Sequence, residues 1–391
     1  LSLRAIVIYC GLLMTVGAFS IDSTLPAFPH MTRDFSTSWD RVQLTVSVFM
    51  LVAAGGQLVV GAFADRFGRR PVILAGLGIY CLGALLSAAA GSIEVMLAGR
   101  AMQGLGAAVG WVLARAILRD LHSGEELARA MAFASAVFAF GPIVAPLTGA
   151  VLMLAFPWQV IFAMMLAFAL LLLATCLFAL PETLARVQAD ALSPRRLAAN
   201  AVAMVADPQS RFFLLVAGAA HAMMLLVIVG LPRVYEESFG VSGPVFAAFF
   251  AVHGVGIVIG QIANRRLIAR WGTLAAMRIG ATVLFAVAAG MALLAAQGWL
   301  DAWRMSALFI VFATSFLIVY SNAAALALDP HGRIAGFASS FFGFFSQVVS
   351  GSVAVLAAPA IGGSALRFAV AIGILSGGVL LALQPRASRP A

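Results

Sequence analysis

The chain has 391 residues, of which 63% are hydrophobic and 10% charged, with a net charge of +9 and a mean hydropathy of +1.05. A water-soluble domain carries about 25% charged residues, so an ordinary soluble enzyme or binding domain is excluded. All 24 basic residues are arginine, placed singly or in short clusters between apolar runs, a distribution that argues against a nucleic-acid surface.

Twelve apolar runs are long enough to cross a bilayer, which takes about 20 residues each. Span 1 covers residues 4–26. Arg4 ahead of an apolar run imitates a signal peptide, but the run exceeds signal length and no small-x-small cleavage site follows. Leu1 in place of a methionine suggests that residues precede it. An outer loop with His30, Arg33, Asp34 and Asp40 leads to span 2 at residues 41–62. The stretch from Gly61 to Pro71 then packs Asp65, Arg66, Gly68, Arg69 and Arg70 between two spans. Spans 3 and 4 cover residues 72–90 and 93–118, and Arg119-Asp120 closes the latter. Span 5, residues 128–155, contains Gly141, Pro142, Pro146 and Gly149. Two prolines free backbone groups and bend a membrane helix, so a kink against a neighbour is expected.

Span 6, residues 158–180, stops at Pro181-Glu182-Thr183. The polar stretch that follows, with Arg186, Asp190, Arg195 and Arg196, has no spanning run and reads as a linker. Spans 7 to 12 fall at residues 211–231, 244–264, 274–296, 303–325, 334–358 and 366–383. Gly61-Ala62-Phe63-Ala64-Asp65-Arg66 pairs with Gly260-Gln261-Ile262-Ala263-Asn264-Arg265 at an offset of 199, which predicts a twofold repeat. With the amino terminus inside, Arg33, Arg41, Arg233, Arg304 and Arg367 lie outside, Arg100 lies within a span, and the other arginines are inside. The positive-inside rule therefore places both termini in the cytoplasm. Cys10, Cys81 and Cys176 lie in spans with no metal-ligand spacing and read as apolar fillers.

The Gly61 to Pro71 stretch resembles motif A of the major facilitator superfamily. Further stretches resemble its drug:proton antiporters, in the bicyclomycin-resistance and chloramphenicol-efflux (Bcr/CflA) branch. These are Ile21-Asp22-Ser23-Thr24-Leu25-Pro26-Ala27-Phe28-Pro29, with Thr24 where the branch has Tyr, then Arg100-Ala101-Met102-Gln103-Gly104-Leu105-Gly106, the span 5 glycine-proline run, and Ser321-Asn322-Ala323-Ala324-Ala325. The resemblance implies an all-α integral membrane protein of the major facilitator fold, with twelve transmembrane helices in two parallel six-helix bundles. The bundles would cover residues 1–183 and 211–391, joined by a cytoplasmic linker at 184–210. It further implies proton-coupled efflux of small amphipathic molecules by alternating access across the bacterial inner membrane. The protein would act as a monomer, driven by the proton gradient, with no cofactor, metal or nucleic-acid partner. A carrier for one endogenous metabolite on the same fold stays open. An enzyme would need an acid-base, nucleophile or metal set at one rim, and the sequence offers none.

Ionisable residues inside spans cost about 2.5–3.5 kcal/mol at the helix centre and mark function. Asp22 and Arg100 both fall ~12 Å below the outer boundary, which permits a direct ion pair. A carboxyl whose surroundings change between two states can take up a proton in one and release it in the other, whereas arginine is a fixed charge. The alternative is a static pair pinning two helices. His221 and His253 fall ~15 and ~16 Å into spans 7 and 8, near the midplane. The offset maps Asp22 onto His221 and predicts that the two face one cavity. Neither histidine belongs to the branch pattern, and each suits a proton or substrate site as well as a plain interhelical hydrogen bond. In motif A, Asp65 is expected to accept from Arg69 or to cap a helix end. Arg119 and Asp120 extend the network, with Arg115 on the same rim, ~34 Å along span 4. Gly61, Asp65, Arg66, Gly68, Arg69, Arg70, Arg119 and Asp120 would together form a latch.

Overall fold

The computed structural model describes residues 2–187 and 191–384, so Asp190 of the linker and the last residues of the carboxy terminus, expected to be cytoplasmic, lie outside the described residues. Among the described residues all regular structure is helical, and twelve segments are long and apolar enough to cross a membrane. The first span is α1 (Leu3–Asp22), a 3-10 turn (Leu25–Ala27) and α2 (Phe28–Asp34), so the stretch read as an outer loop continues as helix. Trp158 Nε1 donates to Asp34 Oδ2 (2.7 Å) and ties this end to span 6. The first half continues with α3 (Trp39–Phe67), α4 (Arg69–Ala88), α5 (Ile93–Leu121), α6 (Gly124–Ala139), α7 (Gly141–Leu152) and α8 (Gln159–Ala179). The break between α6 and α7 at Phe140 is the expected kink, and Pro142 occupies the first turn of α7, where its missing N–H costs nothing.

The linker holds a helix the sequence reading missed, α9 (Pro194–Ala206), which is too polar to register as a span. The second half is α10 (Pro208–Phe239), α11 (Gly243–Trp271), α12 (Thr273–Ala296), α13 (Ala302–Leu328), α14 (Ala335–Ile361) and α15 (Ala365–Ala382). Several helices start on a side-chain cap, including Ser38, Ser92, Asp207, Asp301 and Ser364, each accepting from a backbone N–H one turn on.

The repeat is present, but its register differs from the offset of 199. Gly68 (φ +100°) and Gly272 (φ +80°) make the equivalent α3–α4 and α11–α12 turns in a backbone conformation that side chains disfavour. Aligned there, the offset is 204. Gly56 facing Ala108 of α5 then matches Gly260 facing Thr314 of α13. The counterpart of Asp65 becomes Ala269, and Asp22 no longer maps onto His221.

Helix α5 is the hub of the first half. A Cβ at Gly104 would strike the Phe49 backbone of α3, so only glycine permits this approach. The halves meet along α3 and α14, where Leu51 faces Gly351 and Gln57 faces Gly343, and along α7 and α11, where Ile143 faces Gly254. The outer surface is apolar, with residues such as Leu171, Phe178, Leu356, Ile374 and Leu381 exposed as a lipid-facing wall requires.

Candidate functional site

Between the halves lies a cavity of about 480 Å³, in the range of a small-molecule site. Its wall includes Met50, Gln57, Trp111 and Arg115 from the first half and His221, Tyr320, Phe342 and Gln347 from the second. It adjoins a space of about 220 Å³ through Gln57, Trp111, Arg115 and Ser339. That space adjoins one of about 290 Å³ through Val112, Arg119, Gly336 and Ser340. The last is lined by Asp65 and Arg69 and by Leu197 and Asn200 of α9, so the path runs to the arginine-rich end of the bundle.

The opposite end is packed shut. Gln43 Nε2 donates to the Val229 carbonyl (2.5 Å), and Arg233 bridges Asp40 across the halves (3.1 Å) and Glu237 on its own helix (2.7 Å). The space left among Leu25, Pro26, Trp39, Pro232, Glu236 and Phe246 is about 10 Å³, scarcely room for one water. Trp39 Nε1 and Glu236 Oε2 there have no partner among the described residues.

Asp22 and Arg100 are both buried, at 4% and 0% exposure, but the structure does not join them. Arg100 donates from Nε to the Thr45 carbonyl (3.2 Å) and from Nη1 to Gln103 Oε1 (3.0 Å), and lies over the Phe49 ring at 4.6 Å. Carbonyl, amide and π-face replace the expected carboxylate, and Nη2 is unpartnered. The Asp22 carboxyl has no hydrogen-bond or ionic partner among the described residues. Two residues away, Ser20 Oγ meets Tyr80 OH (2.5 Å), linking α1 to α4.

The two histidines also part company. His221 lines the cavity, its ring stacked on Tyr320 at 5.5 Å. Its Nδ1 lies 2.9 Å from Ser350 Oγ and 3.4 Å from the Ser346 carbonyl. The carbonyl can only accept, and the Ser350 hydroxyl donates to the Gln347 carbonyl (3.0 Å), so both contacts call for a proton on Nδ1 and leave Nε2 as the bare nitrogen. His253 is buried with Nδ1 on the Phe250 carbonyl of its own helix and its ring against Phe250, away from the cavity. The plain interhelical role fails for it too, since its contact stays within α11. Asp22 is likewise absent from the cavity wall, so the expected pair of titratable groups facing one space is not formed.

The charged loop is a three-helix junction. Arg69 donates to Asp65 at the end of α3 (2.6 Å) and to Asp120 at the end of α5 (3.0 Å) from one guanidinium. Thr183 Oγ1 also donates to Asp120 (3.2 Å). Arg70 ties α8 by donating to the Cys176 and Leu177 carbonyls (3.3 and 2.6 Å). Arg119 does not join the network and faces the path instead, near Gly61, and Arg66 has no ionic partner among the described residues. Arg115, placed on the rim by its depth, stands in the cavity wall. In the second half Asn322 Nδ2 donates to Asn264 Oδ1 (2.8 Å), a neutral contact.

Glu182 is the residue that sequence reasoning missed. Its Oε1 and Oε2 accept from the Arg69 and Arg70 backbone N–H groups (2.9 and 3.1 Å), closing the exposed start of α4. Burial works against its charge, but N–H groups of Leu184, Arg69, Arg70 and Thr183 outweigh it and hold the carboxyl below the usual glutamate range. The signal was a lone acid just past span 6, legible only with the α4 start beside it. A Cβ at Gly68 would crowd the same carboxylate, a second reason for glycine there.

The family model described as Major Facilitator Superfamily matches residues 9–355. A Bacillus subtilis (strain 168) protein named uncharacterized MFS-type transporter YdgK is 30% identical over 379 residues, covering 94% of this chain and 93% of its own. The bicyclomycin resistance protein homolog of Haemophilus influenzae is 30% identical, covering 85% and 83%, and the multidrug resistance protein MdtL of Escherichia coli (strain SMS-3-5 / SECEC) is 29% identical, covering 90% and 88%. Among solved structures, a D-xylose-proton symporter superposes with a TM-score of 0.75 over 96% of both chains at 15% identity, a likeness of fold alone.

Proposed function

Because the chain belongs to the major facilitator superfamily, we propose that it exports small amphipathic molecules across the bacterial inner membrane in exchange for protons, by alternating access. The observation that carries this reading is the asymmetry of the central space. A drug-sized cavity leads toward the arginine-rich end, while cross-half bonds close the other. By the positive-inside rule the open end is cytoplasmic, so this conformation is the one that loads substrate from inside. The names of two relatives, with bicyclomycin resistance and multidrug resistance in them, support export of foreign compounds.

Asp22 is the proton carrier in this scheme. It is a buried carboxyl without a partner among the described residues, and an ionisable group kept at such cost within a span is functional by default. Arg100, with Nη2 unpartnered among the described residues, is the fixed charge that Asp22 meets when α1 shifts against α5 in the opposite state. The Asp65–Arg69–Asp120 junction holds the ends of α3, α4 and α5 as one body, and α1, which carries Asp22, is not tied into it.

The experiment is reconstitution in liposomes with an imposed pH gradient, following internal pH and a panel of chemically unrelated compounds. Export predicts that several of them dissipate the gradient and compete with one another. Movement of a single compound would favour the metabolite carrier, and no coupled flux would refute the exporter.

A further inference from the structure

We propose that the central cavity selects amphipathic substrates bearing an acidic group, a carboxylate or its chemical equivalent, and that Arg115 binds that group. The inference rests on the exporter reading of the cavity and narrows it to a substrate class.

Arg115 uses one donor within the protein, Nε to the Trp111 carbonyl of its own helix (3.0 Å). Its Nη groups have no protein partner among the described residues, and the side chain is exposed to the cavity it lines. An arginine serving only to orient the helix belongs at a helix end facing headgroups. Arg115 lies six residues inside the end of α5, roughly 9 Å, and turns toward the space between the halves.

The surroundings leave its charge unanswered. None of the described residues lining this cavity or the adjoining space is an aspartate or glutamate. Asp65, the carboxylate on the path to the arginine-rich end, is taken by Arg69, as is Asp120. A guanidinium is charged at any working pH, and its flat fork of donors matches two carboxylate oxygens.

A second polar side chain stands in the same wall. Gln57, at 4% exposure, has its Nε2 without a partner. Trp111, Phe138, Phe342 and Met50 supply an apolar wall for the body of the molecule. Arg119 adds positive potential along the path, which draws anions in and holds cations back.

The test is equilibrium dialysis of N-dansylglycine and its uncharged counterpart N-dansylglycinamide against purified protein in nanodiscs at low salt, with empty discs subtracted. The wild type is expected to bind the acid about tenfold more tightly than the amide, the size of one charge-assisted pair. Arg115→Gln is expected to remove that preference while keeping the amide affinity, and Arg115→Lys to keep part of it. Equal binding of acid and amide by the wild type overturns the proposal whether or not the variants fold. So does a preference that survives Arg115→Gln. In liposomes, gradient-driven export of the amide with no preference for the acid would retain the exporter and overturn this inference. Preference for the acid with no driven export of either compound would do the reverse.

Discussion

The closed end of the transporter yields the sharpest structural prediction. Gln43 and Arg233 make the polar bonds that cross between the halves there. The Gln43 bond to the Val229 carbonyl is buried, with Gln43 at 5% exposure, and is worth about 0.5–1.5 kcal/mol net. The Arg233–Asp40 pair is half open, the side chains 23% and 47% exposed, and contributes only about 0.2–1 kcal/mol. The bond from Arg233 to Glu237 stays within α10 and favours neither state. Removing both cross-half contacts with Gln43→Ala and Arg233→Ala therefore shifts the balance by roughly 1.5 kcal/mol, about tenfold toward opening at this end. Spin labels at Arg33→Cys and Val245→Cys, both exposed positions near that end in opposite halves, would read it by pulsed dipolar spectroscopy in nanodiscs. The native Cys10, Cys81 and Cys176 are buried and do not compete for label. The expected result is a longer-distance population that grows about tenfold relative to the short one, with Gln43→Ala alone giving the larger share. An unchanged distance distribution in the double variant would refute the claim that these contacts hold the end shut.

Three further outcomes follow from named contacts. Glu182→Gln should melt below the wild type in detergent at pH 7, by about the 0.5–1 kcal/mol of a lost helix cap. The Glu182 carboxyl sits below its ordinary 4.5, so its contribution is full above that value and is lost as pH falls through the depressed one. The two melting curves should converge in acid, and a constant gap down to pH 3 would contradict the cap. Arg69→Lys cannot serve Asp65 and Asp120 from one planar group and should cost about 1–2 kcal/mol, with a double-mutant cycle against Asp120→Asn showing non-additivity; full additivity would mean the junction is not a unit. Gly104→Ala should sharply reduce folded yield because its Cβ meets the Phe49 backbone, whereas Gly78→Ala, with open space around it, should be tolerated; equal yields from the two would sink the packing argument.

The spans were legible because bilayer thickness dictates the length of an apolar run, and the α6–α7 break because prolines cannot be hidden in a helix. The linker helix α9 escaped because an amphipathic segment with arginines at 195 and 196 leaves no signal in an average over hydropathy. The repeat was visible in Gly61 and Gly260, but short glycine-rich matches slide, and only the positive-φ turns at Gly68 and Gly272 fixed its register. Depth along a helix was computable and direction was not. Asp22 and Arg100 share a depth, yet Arg100 turns toward Thr45 and Gln103. His253 lies near the midplane but bonds within its own helix. Arg115 was placed at the depth of the rim, where the bundle proves hollow, so what looked like a boundary residue lines the cavity. Direction depends on which neighbours a helix packs against, which spacing along one chain does not contain.

The central claim is that Asp22 carries the proton that drives export. Its most direct test is simultaneous measurement of proton and substrate flux in liposomes holding wild type or Asp22→Asn, with matched melting temperatures to establish that both are folded. The account predicts that the wild type moves protons against substrate under an imposed gradient, while Asp22→Asn binds substrate and moves it only down its own gradient with no proton flux. Proton-coupled export by Asp22→Asn at the wild-type rate would contradict it.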